Sequence, residues 1–398
     1  MIFVGIAGAT ALLYRKNSVP IAWLLLIRQP IRMITALIGI AFAATLILMQ
    51  LGFRDALFQS SISLIQKLDT DLVMLHSKSV SSTSLISFDP SRLAMVEGIS
   101  GVVDTVPMRW DYVRWRYQNA EQSRLAVAIG VSPTQQTFND LLINSQQNKL
   151  INDDTILYDS LSRPEFGPVV KDFDSGIIPY AFVNSQRVQV VGLVSLGTSF
   201  GYDAAFITSD TTLANLTDLS IDEMEVGLIR LSSNVDSLSV LQAARKILPD
   251  DVIVMTKADF AEFERSYWDR SKPVGYVFMF GVVMGFLVGL IIVYQILYSD
   301  VSSHIQEYAT MLAMGFRRGE LMLIVLRESL LLTLLGYPIA YFFSLFLYSI
   351  VRESTSIKIY MTSERAITTF LILLVMAGIS ATFALQRLRD ADPVEAFS

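Results

Sequence analysis

The residues whose spacing most resembles catalytic machinery are Gly197, Ser199 and Gly201, which fit the G-x-S-x-G pattern of a nucleophilic serine. In hydrolases with this pattern, the serine lies on a sharp turn between a strand and a helix, and an acid and a histidine follow later in the chain. Here residues 202–208 have the composition of an extended strand, and His304 is the only downstream histidine. We interpret the segment as a glycine-rich turn, with a hydrolase based on Ser199 as an alternative hypothesis.

The other reactive side chains do not suggest a metal, cofactor or nucleotide site. The chain has no cysteine, and its two histidines, His76 and His304, lie far apart in the sequence. Asp69 and Asp71 are a pair of carboxylates without a recognisable catalytic partner. No Gly-Lys dipeptide occurs, so a P-loop for ATP is absent from the sequence. We predict a non-catalytic chain without cofactors, and the net charge of −6 argues against nucleic-acid binding.

The elements that must carry any function are dominated by apolar stretches. Of the 398 residues, 52% are hydrophobic and 17% are charged, and the hydrophobic residues fall into four blocks. A helix needs about 20 apolar residues to cross a bilayer. We therefore predict an integral membrane α-helical protein with four transmembrane helices, at residues 33–53, 274–299, 321–351 and 366–386. We expect these spans to carry no buried charge, which argues against an ion-coupled transporter and a polar pore.

Basic residues predict the orientation of these spans. Four Lys or Arg residues precede the first span, three lie in residues 300–328 and two in the tail, 387–398, which makes nine. The loop 352–365 carries three: Arg352, Lys358 and Arg365. By the positive-inside rule, both termini lie in the cytoplasm and the protein lies in the inner, or plasma, membrane.

The long insertion between the first two spans, residues 54–273, is then extracytoplasmic. Its short runs of β-branched and aromatic residues alternate with helical patterns, which predicts an α+β domain, with a two-lobed arrangement as an option. The predicted strands are 71–75, 112–117, 125–131, 188–196, 226–231 and 252–255, and the predicted helices are 91–97 and 237–247.

Two segments on the cytoplasmic side have helical patterns. Residues 1–32 form the N-terminal segment, in which 20–32 (PIAWLLLIRQPIR) suit an amphipathic helix in the membrane interface or a lengthened first span. Residues 300–320 (DVSSHIQEYATMLAMGFRRGE) begin with N-cap candidates and place Ile305, Tyr308 and Met311 at helical spacing before Gly315. This segment is either a coupling helix presented to a partner or an ordinary connecting loop.

The second span carries Gly281, Gly285 and Gly289 at a spacing of four. Small residues at this spacing lie on one helix face and allow two helices to approach closely. Two partners are possible for this face: the same span of a second copy, or another helix of the same chain.

The run QEYATMLAMGF, residues 306–316, resembles the coupling segment of MacB/FtsX-type ABC permeases. Glu307 matches the acidic residue of that segment, and Ala313, Met314 and Gly315 match the Ala-hydrophobic-Gly sequence at its end. With residues 285–301 (GFLVGLIIVYQILYSDV), 20–32 and 392–397 (DPVEAF), the chain from Val19 onward resembles the DevC family of that superfamily. Gln306 and Leu312 depart from the pattern, since many relatives have basic residues there.

The resemblance implies a homodimeric permease subunit of an ABC-type export complex, with ATP hydrolysed by a separate ATPase of the DevA/MacB type. It further implies a periplasmic adaptor (a membrane fusion protein), a TolC-like outer-membrane channel and an amphiphilic substrate such as a glycolipid. An FtsX-like regulator of a periplasmic enzyme is the alternative. The residues expected to couple to the ATPase are Ser303, Glu307, Ala309, Ala313, Met314, Gly315, Arg317 and Arg318.

Overall fold

The computed structural model describes residues 30–197, 199, 201–217, 220, 222–271, 273–314, 317–355, 357 and 359–384. The chain divides into two compact units: a helical unit of Met1–Ala56 with Val274–Ser398, and an inserted unit of Leu57–Pro273. The inserted unit therefore interrupts the sequence of the helical unit close to the predicted positions 54 and 273.

Helices account for the whole described part of the helical unit apart from short connections. The α-helices are α1 Pro30–Ser61, α2 Ser63–Lys67, α3 Ser91–Glu97, α4 Leu141–Gln146, α5 Val169–Asp174, α6 Asp210–Leu216, α7 Ser237–Ile247, α8 Lys257–Ser266, α9 Val274–Ser303, α10 Ile305–Ala313, α11 Arg318–Thr355 and α12 Ser363–Ala384.

Four of these helices, α1, α9, α11 and α12, are long and apolar enough to cross a membrane. The four predicted helices are confirmed, but all four extend beyond the expected bounds: α1 continues to Ser61, α9 ends at Ser303, α11 begins at Arg318 and α12 begins at Ser363. Hydropathy detects the apolar centre of a helix, whereas its hydrogen bonds continue into polar turns at either end. The described part of α1 runs from Pro30 onward. The rest of the predicted interfacial helix, residues 20–29, lies outside the described residues.

The inserted unit is built on one mixed sheet of nine strands. The strands are β1 Leu72–His76, β2 Val102–Tyr117, β3 Arg124–Val131, β4 Thr155–Asp159, β5 Tyr180–Val183, β6 Gln186–Val194, β7 Ala205–Ser209, β8 Val226–Leu231 and β9 Val252–Thr256. The six predicted strands are present, but β2 starts at Val102 rather than 112, and β4 and β5 were not predicted.

The long strand β2 belongs to two sub-sheets. The order β3-β7-β4-β6-β5-β2, with β3 also paired to β2, closes six strands into a barrel. Trp115 shows how the barrel closes, because it pairs with Arg124 of β3 on one side and Val183 of β5 on the other. The N-terminal part of β2 pairs with β8, and β8, β1 and β9 extend the sheet from there.

Buried side chains fill both faces of the barrel wall. One cluster takes alternate residues of all six barrel strands around Trp115, whose ring lies 5.2 Å from that of Tyr158 and 5.7 Å from that of Phe206. A second cluster takes the other faces of several strands and packs them against Phe138, Ile143 and Phe260. Both faces of these strands are therefore fixed by packing, which makes the barrel a rigid support.

Candidate functional site

The segment that joins α9 to α11 continues the backbone hydrogen bonding of α9 and shares a buried cluster with residues of α11. The N–H of His304 donates to the carbonyl of Asp300 at 3.1 Å, and the N–H of Tyr308 donates to the carbonyl of His304 at 3.0 Å. Helical hydrogen bonding thus continues from the last turn of α9 into α10. Asp300 and Ser303 belong to α9, so the expectation that they cap the next helix is wrong.

The helix α10 is amphipathic, and its buried face is fixed by aromatic packing. Tyr308 is 2% exposed and belongs to the same buried cluster as Val301, Leu321 and Val325. Gln306 and Thr310 are exposed on α10. The arrangement leaves a helix held against α9 and α11 with polar side chains free to meet another protein.

The predicted coupling residues lie along this segment. Ser303 Oγ accepts a hydrogen bond from Arg32 Nη1 at 2.8 Å and donates to the carbonyl of Asp300 at 2.9 Å. Met314 is 66% exposed, and the backbone N–H of Arg317 donates to Glu320 Oε2 at 3.0 Å, which caps α11. Four other predicted residues have side chains outside the described structure: Glu307, Ala309 and Ala313 on α10, and Arg318 at the start of α11. Gly315 is outside the described residues.

A pair of buried carboxyl groups beside α10 was not predicted. Asp300 is 7% exposed and Glu328 of α11 is 3% exposed. Arg327 is also buried. The expectation that the spans carry no buried charge is therefore wrong at this end of α11.

The glycines of α9 face helices of the same chain. A Cβ at Gly289 would lie 2.7 Å from Ala43 Cβ and 2.5 Å from Met376 Sδ, while a Cβ at Gly285 would lie 3.1 Å from Ile47 Cγ1. At Gly281, a Cβ would meet the side-chain amide of Gln50. These distances place α1 along the glycine face of α9, with α12 beside it, rather than leaving that face open for a second copy.

At the other end of the bundle, Arg365 of α12 joins α1 to α11. Its side chain is 4% exposed, and its Nη2 and Nε atoms lie 2.6 Å and 3.1 Å from Asp55 Oδ2. Its Nη1 donates to the carbonyl of Tyr360 at 2.7 Å and lies 3.4 Å from the hydroxyl of Tyr348. Tyr348 in turn donates to the carbonyl of Leu48 at 2.5 Å, so three helices meet at this arginine.

The Gly197–Gly201 segment has the contacts of a turn. Ser199 is 7% exposed, and its Oγ accepts the N–H of Gly201 at 3.2 Å. Asp159, fully buried, accepts the N–H groups of Leu196 and Gly197 at 2.9 Å and 3.1 Å. Burial raises the pKa of the Asp159 carboxyl, while these N–H groups oppose the shift. Asp159 therefore serves as the structural support of this turn.

Residues 278–393, which include most of α9 and all of α10, α11 and α12, are similar to the family described as FtsX-like permease C-terminal. No curated protein matches the chain. The periplasmic region of MacB from Actinobacillus actinomycetemcomitans is 12% identical, with a TM-score of 0.35, over 49% of this chain and 92% of that chain. The extracellular domain of the noncanonic ABC-type transporter YknZ from Gram-positive bacteria is 16% identical, with a TM-score of 0.31, over 47% of this chain and 98% of that chain. The family match supports the predicted FtsX-like permease character, whereas the DevC assignment stays a prediction.

Proposed function

We propose that this chain is the permease subunit of an ABC-type export complex and that a separate cytoplasmic ATPase docks on α10. The supporting observation is the helix itself: α10 is held by Tyr308, exposes Gln306 and Thr310, and lies in the segment similar to FtsX-like permeases. In this proposal, closure of the ATPase pushes α10, and the motion passes into the two spans to which it is bonded.

The contacts around α10 suit such a transmission. The backbone bonds through His304 join α10 to α9, and Tyr308 lies in the same buried cluster as Leu321 and Val325 of α11. A packed helix moves with its neighbours because well-packed cores resist continuous deformation. A push on α10 therefore reaches both spans rather than being absorbed in a loop.

The remaining parts of the proposal rest on the resemblance to the DevC family. The inserted unit faces the periplasm and acts with an adaptor and a TolC-like outer-membrane channel on an amphiphile such as a glycolipid. Two copies of the chain form the complex, and both termini lie in the cytoplasm, where positive residues are concentrated.

Cross-linking tests the docking of the ATPase. Because the chain has no cysteine, single cysteines report single positions. We expect Gln306→Cys on α10 to cross-link to the ATPase in membranes, whereas Glu353→Cys, exposed near the far end of α11, does not. Equal cross-linking at both positions, or none at Gln306→Cys, would contradict the docking site.

A second test measures coupling. We expect Ala313→Arg or Gly315→Pro to abolish both export and stimulation of the ATPase while the protein remains in the membrane. Ala313→Ser is the control, since it adds little volume and no charge, and should retain both activities. Normal export by Ala313→Arg and Gly315→Pro would refute the coupling role of this segment.

The similarity to FtsX-like permeases also favours a second function, regulation of an extracytoplasmic enzyme. The same α10 docking would then drive activation rather than export. Vesicles that contain the chain, its ATPase and its adaptor, with the extracytoplasmic enzyme added, separate the two. ATP-dependent release of an amphiphile supports export, and its absence together with ATP-dependent activation of the enzyme supports regulation.

A further inference from the structure

One outward surface of the barrel carries aromatic rings covered by arginines. The guanidinium carbon of Arg116 lies 4.5 Å from the ring centroid of Phe182, and that of Arg187 lies 4.3 Å from the ring centroid of Tyr180. The two rings meet edge to face at 6.0 Å. Arg114 lies on the same face of β2, two residues before Arg116, because side chains alternate along a strand. We call these five residues the arginine–aromatic face.

The strands beneath this face are fixed. Trp115 and Val183 point the other way from Arg116 and Phe182 and are buried in the barrel cluster. Stacking on a ring orients a guanidinium while leaving its edge open to hydrogen bonds, and Arg116 Nη1 donates one of these to the carbonyl of Gln118 at 3.4 Å. Arg116 and Arg187 are therefore ordered before any partner arrives, which lowers the entropy cost of binding.

The charge on this face is not neutralised within the protein. Within the described ranges, the side chains of Arg114, Arg116 and Arg187 make no ion pair, although Arg163 and Arg230 of the same unit do. Such unpaired positive charge stands out in a chain whose net charge is −6. A partner with negative charge at matching positions would be attracted to it.

Apolar side chains border the same surface. Ile177 and Ile178, immediately before β5, are 55% and 61% exposed, and Leu125, opposite Arg114 in the β2–β3 pairing, is 62% exposed. Arginine and aromatic residues together with exposed aliphatic side chains are typical of protein interfaces, where they provide most of the binding energy.

We propose that the arginine–aromatic face is the docking surface for an acidic segment of another protein. Carboxylates of the partner pair with Arg114, Arg116 and Arg187, and an apolar side chain between them packs against Tyr180 and Phe182. This docking goes beyond the proposed function, since it involves neither α10 nor ATP, and it holds whether the chain exports a substrate or regulates an enzyme.

Peptide binding to the full-length chain in nanodiscs tests the docking. The probe is a fluorescent peptide of alternating Glu and Leu, compared with the same peptide in which Gln replaces each Glu. We expect the Glu peptide to bind and the Gln peptide to bind at least tenfold more weakly. Replacing both stacked arginines, Arg116→Gln with Arg187→Gln, should weaken the Glu peptide roughly tenfold, as expected for two partly exposed charge contacts.

Arg245→Gln is the control for loss of positive charge elsewhere, because Arg245 is exposed on α7 of the same unit; it removes one charge, as does each of Arg116→Gln and Arg187→Gln measured singly. Binding should be unchanged in this variant, and Phe182→Ala should weaken binding with the arginines still present. Equal binding of the Glu and Gln peptides, or equal losses in Arg245→Gln, would overturn the proposal. Binding of anionic phospholipid vesicles in place of the peptide would overturn it in favour of a membrane surface.

Discussion

The ion pair between Arg365 and Asp55 allows a quantitative test of how the helical unit is held together. We consider Asp55→Asn, which removes the negative charge and keeps the size of the side chain. In the native protein, two nitrogens of Arg365 contact Asp55 Oδ2 at 2.6 Å and 3.1 Å, and a third donates to the carbonyl of Tyr360. After the change, the buried guanidinium retains Tyr360 but loses its counter-charge.

The two side chains differ in exposure, which sets the expected magnitude. Removing one partner of a fully buried pair costs about 3–5 kcal/mol, whereas an exposed pair is worth about 0.2–1 kcal/mol. Arg365 is 4% exposed but Asp55 is 45% exposed, so water can partly replace the carboxylate. We therefore expect Asp55→Asn to reduce the free energy of unfolding by about 1–3 kcal/mol, between these limits.

A double-mutant cycle isolates the pair from other effects. Asp55→Asn, Arg365→Gln and the double variant are unfolded by sodium dodecyl sulfate in mixed micelles, and the coupling energy is read from the non-additivity. Arg352→Gln is the control, because Arg352 is partly exposed and stacks 4.8 Å over the ring of Tyr360 without a carboxylate partner among the described residues. Additive losses for Asp55 and Arg365, or an equal coupling of Asp55 to Arg352, would refute the reasoning.

Three further changes test other contacts. Gly285→Leu should lower the melting temperature of the solubilised protein, because a Cβ at this position would meet Ile47 at 3.1 Å. Gly378→Leu should be tolerated, because a Cβ there would have no atom within 4 Å. Equal shifts in melting temperature for the two variants would contradict the packing of α9 on α1. Gly167→Ala should destabilise the inserted unit more than Gly176→Ala, because both glycines have positive φ but only a Cβ at Gly167 would meet Tyr117, at 2.5 Å. Tryptophan fluorescence during urea unfolding compares the two variants. Equal losses in the free energy of unfolding would mean that the whole cost comes from the backbone conformation. Burial raises the pKa of the Glu225 carboxyl to about 7, so its contribution to the free energy of unfolding is complete below its ordinary pKa of about 4.5 and is lost as the pH rises through about 7. Glu225→Gln should remove this part of the pH dependence and be more stable than the native chain at pH 8. If the slope of stability against pH between pH 5 and 8 is unchanged in this variant, the assignment is contradicted.

The long helices could be predicted from the sequence because the signal is local and strong. Each apolar stretch is about as long as a bilayer is thick, and few other structures need such a run. Their ends could not be predicted the same way. Arg327 and Glu328 interrupt the apolar pattern, so hydropathy places the charge-free centre after them, although α11 continues unbroken through both residues.

The short strands of the barrel depended on contacts that are distant in the sequence. β5 has only four residues, and it is held by β2 and β6 rather than by its own composition. The same limit applies to the site at Arg365, whose partner Asp55 lies 310 positions away. Sequence spacing predicted the helical character of α10 correctly, because its apolar residues recur within three turns of one helix.

The contacts between the helices show which of the counted basic residues lie at the same end of the bundle. The bond between Arg32 and Ser303 places the start of α1 beside the end of α9, and the pair of Asp55 with Arg365 places the later part of α1 beside the start of α12. Among the described residues, Arg32 and Arg317 therefore belong to one end of the bundle, while Arg365 belongs to the other. If the number of predicted spans had been wrong, basic residues from the two ends would have been counted on the same side of the membrane. The helix arrangement thus supports the grouping itself, and the positive-inside rule then predicts that the end carrying α10 faces the cytoplasm.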